Sequence, residues 1–179
     1  MGRPRTSKPT CEKNTPPGAS EQPLSIASLE QAIHAGDRIL LDTTTLAAYL
    51  DSTEAVHPIA KHVVEEFVGN GRNPAVISMI TVMELLVRPM RATPPGHHTV
   101  MAFIRNQPNL AAVEVDLQVA QDAAFLRAAH RLSPPDALVV GTGLAAQVAH
   151  LVTNDHAWEN RLATMQARIK VCVLARHLP

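Results

Sequence analysis

The chain has 179 residues, of which 46% are hydrophobic and 3% aromatic, with 16 basic against 16 acidic side chains. That length supplies one core of ordinary size and too little for two independent domains. The zero formal charge argues against the strongly basic surface of a usual nucleic-acid binder. From Asp37 onward the count is 12 basic against 13 acidic residues, so a bound divalent cation would shift the local balance considerably.

Residues 1–23 are rich in Pro, Lys, Ser, Thr and Glu with almost no large apolar side chain, and such a segment cannot offset its ordering entropy. A disordered tail is expected there. Met1 to Glu21 lacks the apolar core of a signal peptide, and the loose myristoylation pattern at Gly2 is too short to weigh. Residues 24–36 follow as an added helix, with Ile26, Leu29, Ala32 and Ile33 at helical spacing and Gly36 as a stop. Residues 37–179 form the domain proper.

Arg38 to Leu41 reads as a first strand ending in Asp42 and three threonines. Thr44 to Asp51 reads as a short helix and His57 to Phe67 as a longer one, ended by the left-handed conformations that Gly69-Asn70-Gly71 permits. Ala75 to Ile80 is a second strand, followed by a helix that Pro89 stops. Thr99 to Arg105 is helical, Leu110 to Val115 a third strand, and Leu117 to Arg131 an Ala-rich helix. Ser133 caps a further helix from Asp136 to about Gln147, apolar nearly all round and therefore buried. Ala149 to Thr153 is a fourth strand ending at Asn154-Asp155, Glu159 to Gln166 a helical connection, and Ile169 to Leu174 a last strand. The alternation predicts an α/β fold: a parallel β-sheet with right-handed crossovers. A low aromatic content suits a Val, Leu, Ile and Ala core covered by helices on both faces.

Cys11 and Cys172 lie far apart with neither CxxC spacing nor a disulfide framework, which points to a reducing, cytoplasmic compartment. No apolar run approaches the length of a bilayer span, so no membrane association is expected.

Four carboxylates fall at corresponding points of this pattern: Asp42 after strand one, Glu84 in the first turn after strand two, Asp136 at the start of a buried helix, and Asp155 after strand four. Each has a bland reading as a helix cap, a capping box with Thr81, a dipole partner or a loop residue. Their joint placement on one sheet edge is costly without a counter-charge, because two unit charges about 4 Å apart repel by roughly 4 kcal/mol at an effective dielectric near 20. All-oxygen coordination selects Mg²⁺ or Mn²⁺ over zinc. A water on such an ion is a nucleophile for a phosphodiester, so the chemistry implied is metal-dependent phosphodiester hydrolysis.

In this order, Leu40-Leu41-Asp42-Thr43-Thr44, the run from Ile77 to Leu85, Pro135-Asp136-Ala137-Leu138 and Leu151-Val152-Thr153-Asn154-Asp155 resemble the PIN-domain ribonucleases, particularly the VapC-type toxins of toxin-antitoxin pairs. The resemblance spans Arg38 to Leu178. It implies a PIN-like parallel sheet flanked by helices, an acidic pocket for Mg²⁺ or Mn²⁺, endoribonuclease cleavage of RNA, a cognate antitoxin and a homodimer. Carried over by position, Asp42, Asp136 and Asp155 are the metal ligands and Glu84 positions or deprotonates the attacking water. Thr44 and Thr153 support the pocket, and Asn154 contacts phosphate. The N-terminal extension and the lack of basic charge depart from the family pattern.

Three other readings compete. Gly141-Thr142-Gly143-Leu144-Ala145-Ala146 fits GxGxxA, but Asp155 follows Gly141 by 14 residues where a dinucleotide site wants about 20, so the glycines read as close packing of a buried helix. A phosphatase using Asp42 wants an acid at position 44, which is Thr44. The non-enzymatic reading is an inactive PIN-like module that binds RNA or protein. His97, His98 and His130 lack zinc spacing, Trp158 reads as core or rim, and the pairs Arg88/Arg91 and Arg127/Arg131 as solvated faces.

Overall fold

The computed structural model describes residues 24–178. The expected disordered tail and Cys11 lie outside the described residues. Five strands, β1 Ile39–Leu41, β2 Ala75–Ser78, β3 Leu110–Val113, β4 His150–Thr153 and β5 Lys170–Val173, form one sheet in the order β3-β2-β1-β4-β5. Every pairing is parallel. The helices are α1 Leu24–Ala32, α2 Thr43–Leu50, α3 His57–His62, α4 Met79–Arg91, α5 His97–Asn106, α6 Leu117–His130, α7 Pro134–Ala145 and α8 Ala157–Arg161.

The central strands β1, β2 and β4 are buried on both sides, and the pleat sends alternate residues to opposite faces. Ile39, Leu41 and Ile77 pack with α1 to α5, whereas Leu40, Val76 and Leu151 pack with α6, α7 and Trp158. This is the double cover that parallel sheets need. The glycines of the GxGxxA run sit inside α7, not at a strand-to-helix turn. A Cβ on Gly141 would come 2.9 Å from the Val119 carbonyl of α6, and one on Gly143 would crowd Leu40 and Val148. Close packing therefore accounts for them, and the dinucleotide reading ends there.

Several boundaries differ from expectation. The helical run at 57–67 changes to a wider π turn over Val63–Gly69, and of the Gly69-Asn70-Gly71 trio only Gly71 is left-handed, with φ +75. The second strand ends at Ser78, whose hydroxyl accepts from the Ile80 amide and so starts α4 earlier than expected. Glu84 consequently lies in the second turn of α4, and no Thr81/Glu84 capping box forms. Pro89 does not stop the helix, which continues to Arg91. So near the end, the missing N–H costs a single intrahelical bond. Ser133 caps α7 as expected, accepting from the Asp136 amide.

Candidate functional site

Strand order reverses between β1 and β4, and ligand crevices in parallel α/β sheets open at the carboxyl ends of the strands flanking such a reversal. Asp42 follows β1 directly, and Asn154-Asp155 follows β4. Helix α7 feeds β4, so its N-terminus, with Asp136 in the first turn, lies at the same edge.

Asp42 occupies the N-cap position of α2, yet its side chain makes no cap hydrogen bond. Its carboxylate is 7% exposed, and Oδ2 accepts instead from the hydroxyls of Thr153 at 2.9 Å and Thr44 at 3.1 Å. The two hydroxyls lie 3.0 Å apart, bridging the ends of β1 and β4. Thr153 Oγ1 also accepts from the Asp155 amide, and Thr44 Oγ1 from the Asn154 amide. The threonines thus lock the turn after β4 onto Asp42. Asn154 contributes its backbone, while its Oδ1 is buried with no hydrogen-bond partner among the described residues.

Glu84 Oε2 accepts from the hydroxyl of Thr43, the residue next to Asp42, so the acid of α4 is tied to the end of β1. In the turn before α8, Asp155 Oδ1 accepts from the Ala157 amide at 2.8 Å. Its Oδ2 lies 3.8 Å from Arg161 Nη1, and the same nitrogen donates to Asp136 Oδ2 at 3.3 Å. Asp155 thus has one oxygen held by backbone and the other facing a guanidinium.

The four acids lie along one connected line. Glu84 reaches Asp42 through Thr43, Asp42 reaches Asp155 through Thr153, and Asp155 reaches Asp136 through Arg161. The donors are carboxylate and hydroxyl oxygens without thiolate or imidazole, a set that fits a hard cation. Among the described residues, no three acidic, histidine or cysteine side chains are grouped closely enough to hold one ion as they stand.

The PIN domain family model matches residues 39–161, well over half of the chain. The chain belongs to the PIN domain family. None of the curated proteins matches this PIN chain. Among solved structures it is similar to a toxin-antitoxin complex from Klebsiella pneumoniae, at 23% identity and TM-score 0.56, covering 76% of this chain and 97% of that one. A DNA-bound VapBC from Salmonella typhimurium gives 23% identity and TM-score 0.56, covering 76% and 98%. VapC20 of Mycobacterium tuberculosis, described as a sarcin-ricin loop cleaving toxin, gives 20% identity and TM-score 0.54, covering 68% and 93%. These likenesses agree with the PIN fold seen here.

Two residues of the candidate site carry little signal in the sequence. Thr43 passed as one of three threonines, and only its bond to Glu84, 41 residues away, sets it apart. Arg161 carries no local signal, because its partners lie 6 and 25 positions earlier in the chain. Other candidates resolve as structure. Trp158 is 3% exposed in the core, and the Cys172 thiol is pushed up to about 12 by burial, which leaves it unreactive. Among the described residues no helix is long and apolar enough to cross a membrane.

Proposed function

We propose that this PIN-domain chain is a Mg²⁺- or Mn²⁺-dependent endoribonuclease and the toxin of a type II toxin-antitoxin pair, acting in the cytoplasm. The observation that carries the reading is the state of Asp42. A carboxylate at a helix N-cap position that leaves the cap unmade, and is buried among hydroxyls at the sheet's reversal point, has given up its ordinary structural use.

Asp42, Asp136 and Asp155 would hold the ion, directly or through water. When bound, such an ion supplies positive charge to a phosphate group and acidifies a water beside it. Glu84, oriented by the Thr43 hydroxyl, accepts the proton of the attacking water; the water oxygen then bonds to phosphorus as the bond to the leaving sugar oxygen breaks. Thr44 and Thr153 hold Asp42 in one rotamer so that its charge need not reorganise. Asn154, in the turn held by Thr44, would offer its side-chain amide N–H to a phosphate oxygen of the substrate strand.

An antitoxin partner agrees with the similar structures, which include a toxin-antitoxin complex and two VapBC structures. A groove of about 500 Å³, lined by Ala47, Leu50, Leu85 and Val100 with Glu84 and Arg88, suits a largely apolar peptide that would cover Glu84. The direct test incubates the purified chain with RNA and Mn²⁺. Cleavage is expected that chelation stops and Asp42→Asn abolishes; unchanged cleavage by Asp42→Asn overturns the reading.

A further inference from the structure

Arg161 is recorded in ion pairs with two of the four acids, and among the described residues it is the one basic side chain so recorded. Its position is not a chance of a long flexible side chain. Helix α8 starts at Ala157, two residues after Asp155, whose Oδ1 accepts from the Ala157 amide, and Arg161 is the last residue of that helix. One turn earlier, Trp158 is buried, and the Arg161 guanidinium stands 5.4 Å from the centre of its ring. The acidic neighbour on the same helix, Glu159, is engaged elsewhere, by Arg176 at 3.0 Å. The guanidinium is thereby left to Asp136 and Asp155.

A single Nη1 serving both acids occupies the place where a cation joining them would sit. Among the described residues, no three of the acids are grouped on one point while this contact stands.

We propose that Arg161 is the resident counter-cation of the acidic site, and that a divalent ion enters by displacing it from Asp136 and Asp155. This rests on the metal-dependent reading above and adds how the site's affinity is set. The aromatic ring of Trp158 and open solvent receive the displaced guanidinium, since the Arg161 side chain is already 41% exposed. Metal binding is then an exchange of charges, weaker than the same four acids would show alone. Because the pairs are partly exposed, the penalty is modest, about fivefold in affinity.

The chain contains one tryptophan, and it is the ring beside Arg161. Titration of the full-length chain with Mg²⁺, which does not itself quench, should change Trp158 fluorescence in the wild type and leave it nearly unchanged in Arg161→Gln. Calorimetric titration with Mn²⁺ should show about fivefold tighter binding to Arg161→Gln than to the wild type, with Arg161→Lys nearer the wild type. Circular dichroism verifies that both variants fold, and Arg161→Ala repeats the comparison without a polar side chain. Equal Mn²⁺ affinity in wild type and Arg161→Gln overturns the exchange while leaving the metal site standing, as does weaker binding to the variant. Absence of Mn²⁺ binding in every form overturns both the metal site and the exchange.

Discussion

The two ends of the acidic line are built differently. Around Asp42 the carboxylate is buried and clamped by two hydroxyls that also hold the following turn, so that end is rigid and its charge is satisfied by neutral donors. Around Asp136 and Asp155 the side chains are 29% and 40% exposed, and a guanidinium on a five-residue helix balances them. The contrast teaches that one half of the candidate site is preformed by the sheet, while the other is held open by an exchangeable charge. Preorganised polar groups keep their orientation without cost at the moment of reaction, whereas an exchangeable pair adjusts to what binds.

Breaking the rigid half should have the larger effect. Asp42→Asn is expected to abolish cleavage at every metal concentration while melting within a few degrees of the wild type, as thermal denaturation checks. Asp155→Asn, in the adjustable half, should lose activity that high Mn²⁺ partly restores in a rate-against-metal titration; equal and irreversible losses would erase the distinction.

Glu84→Gln should lower the cleavage rate by about a hundredfold, the lower range for a positioned proton acceptor. Thr43→Val should have a smaller effect of the same kind, since it frees Glu84 to rotate. Single-turnover rates at saturating RNA would separate these from weakened binding.

Thr153→Val tests the clamp itself. It removes a buried donor to Asp42 and the acceptor of the Asp155 amide, so destabilisation of about 1 to 3 kcal/mol is expected in urea unfolding. Gly141→Ala, on α7 like Asp136, should cost a similar amount by overpacking α6 against α7.

The smallest effect lies at the opposite edge of the sheet. His150, at the start of β4, is 3.0 Å from Asp37, and burial lowers its pKa below the usual 6.5 despite that carboxylate. A base whose folded pKa is depressed binds fewer protons folded than unfolded, so stability rises with pH there. Its contribution is complete above about pH 6.5 and is lost as pH falls from there toward the folded value. His177, also lowered by burial, acts in the same direction. Melting temperature measured between pH 5 and 8 should decline on the acid side, less steeply in His150→Gln.

Much of this was readable in the chain. Strand-sized aliphatic runs alternating with helical spacing determine the parallel sheet, and an acid after β1 and another after β4 are conspicuous because each ends an apolar run. Ser133 before two prolines announced the start of α7. Less visible were features set by distant partners. The early start of α4 depends on Ser78 capping inside what reads as a continuing strand, which moved Glu84 by a turn. Arg161 became a site neighbour only because α7 and α8 meet at one edge, and no spacing in the sequence encodes that meeting.

The central claim is that Asp42 belongs to a centre that cuts RNA. Mapping of 5′ ends in total RNA from cells expressing the wild-type chain or Asp42→Asn tests it most directly. New ends at a small set of positions, present with the wild type and absent with the variant, are predicted. The same new ends in both, or none with the wild type, would contradict it.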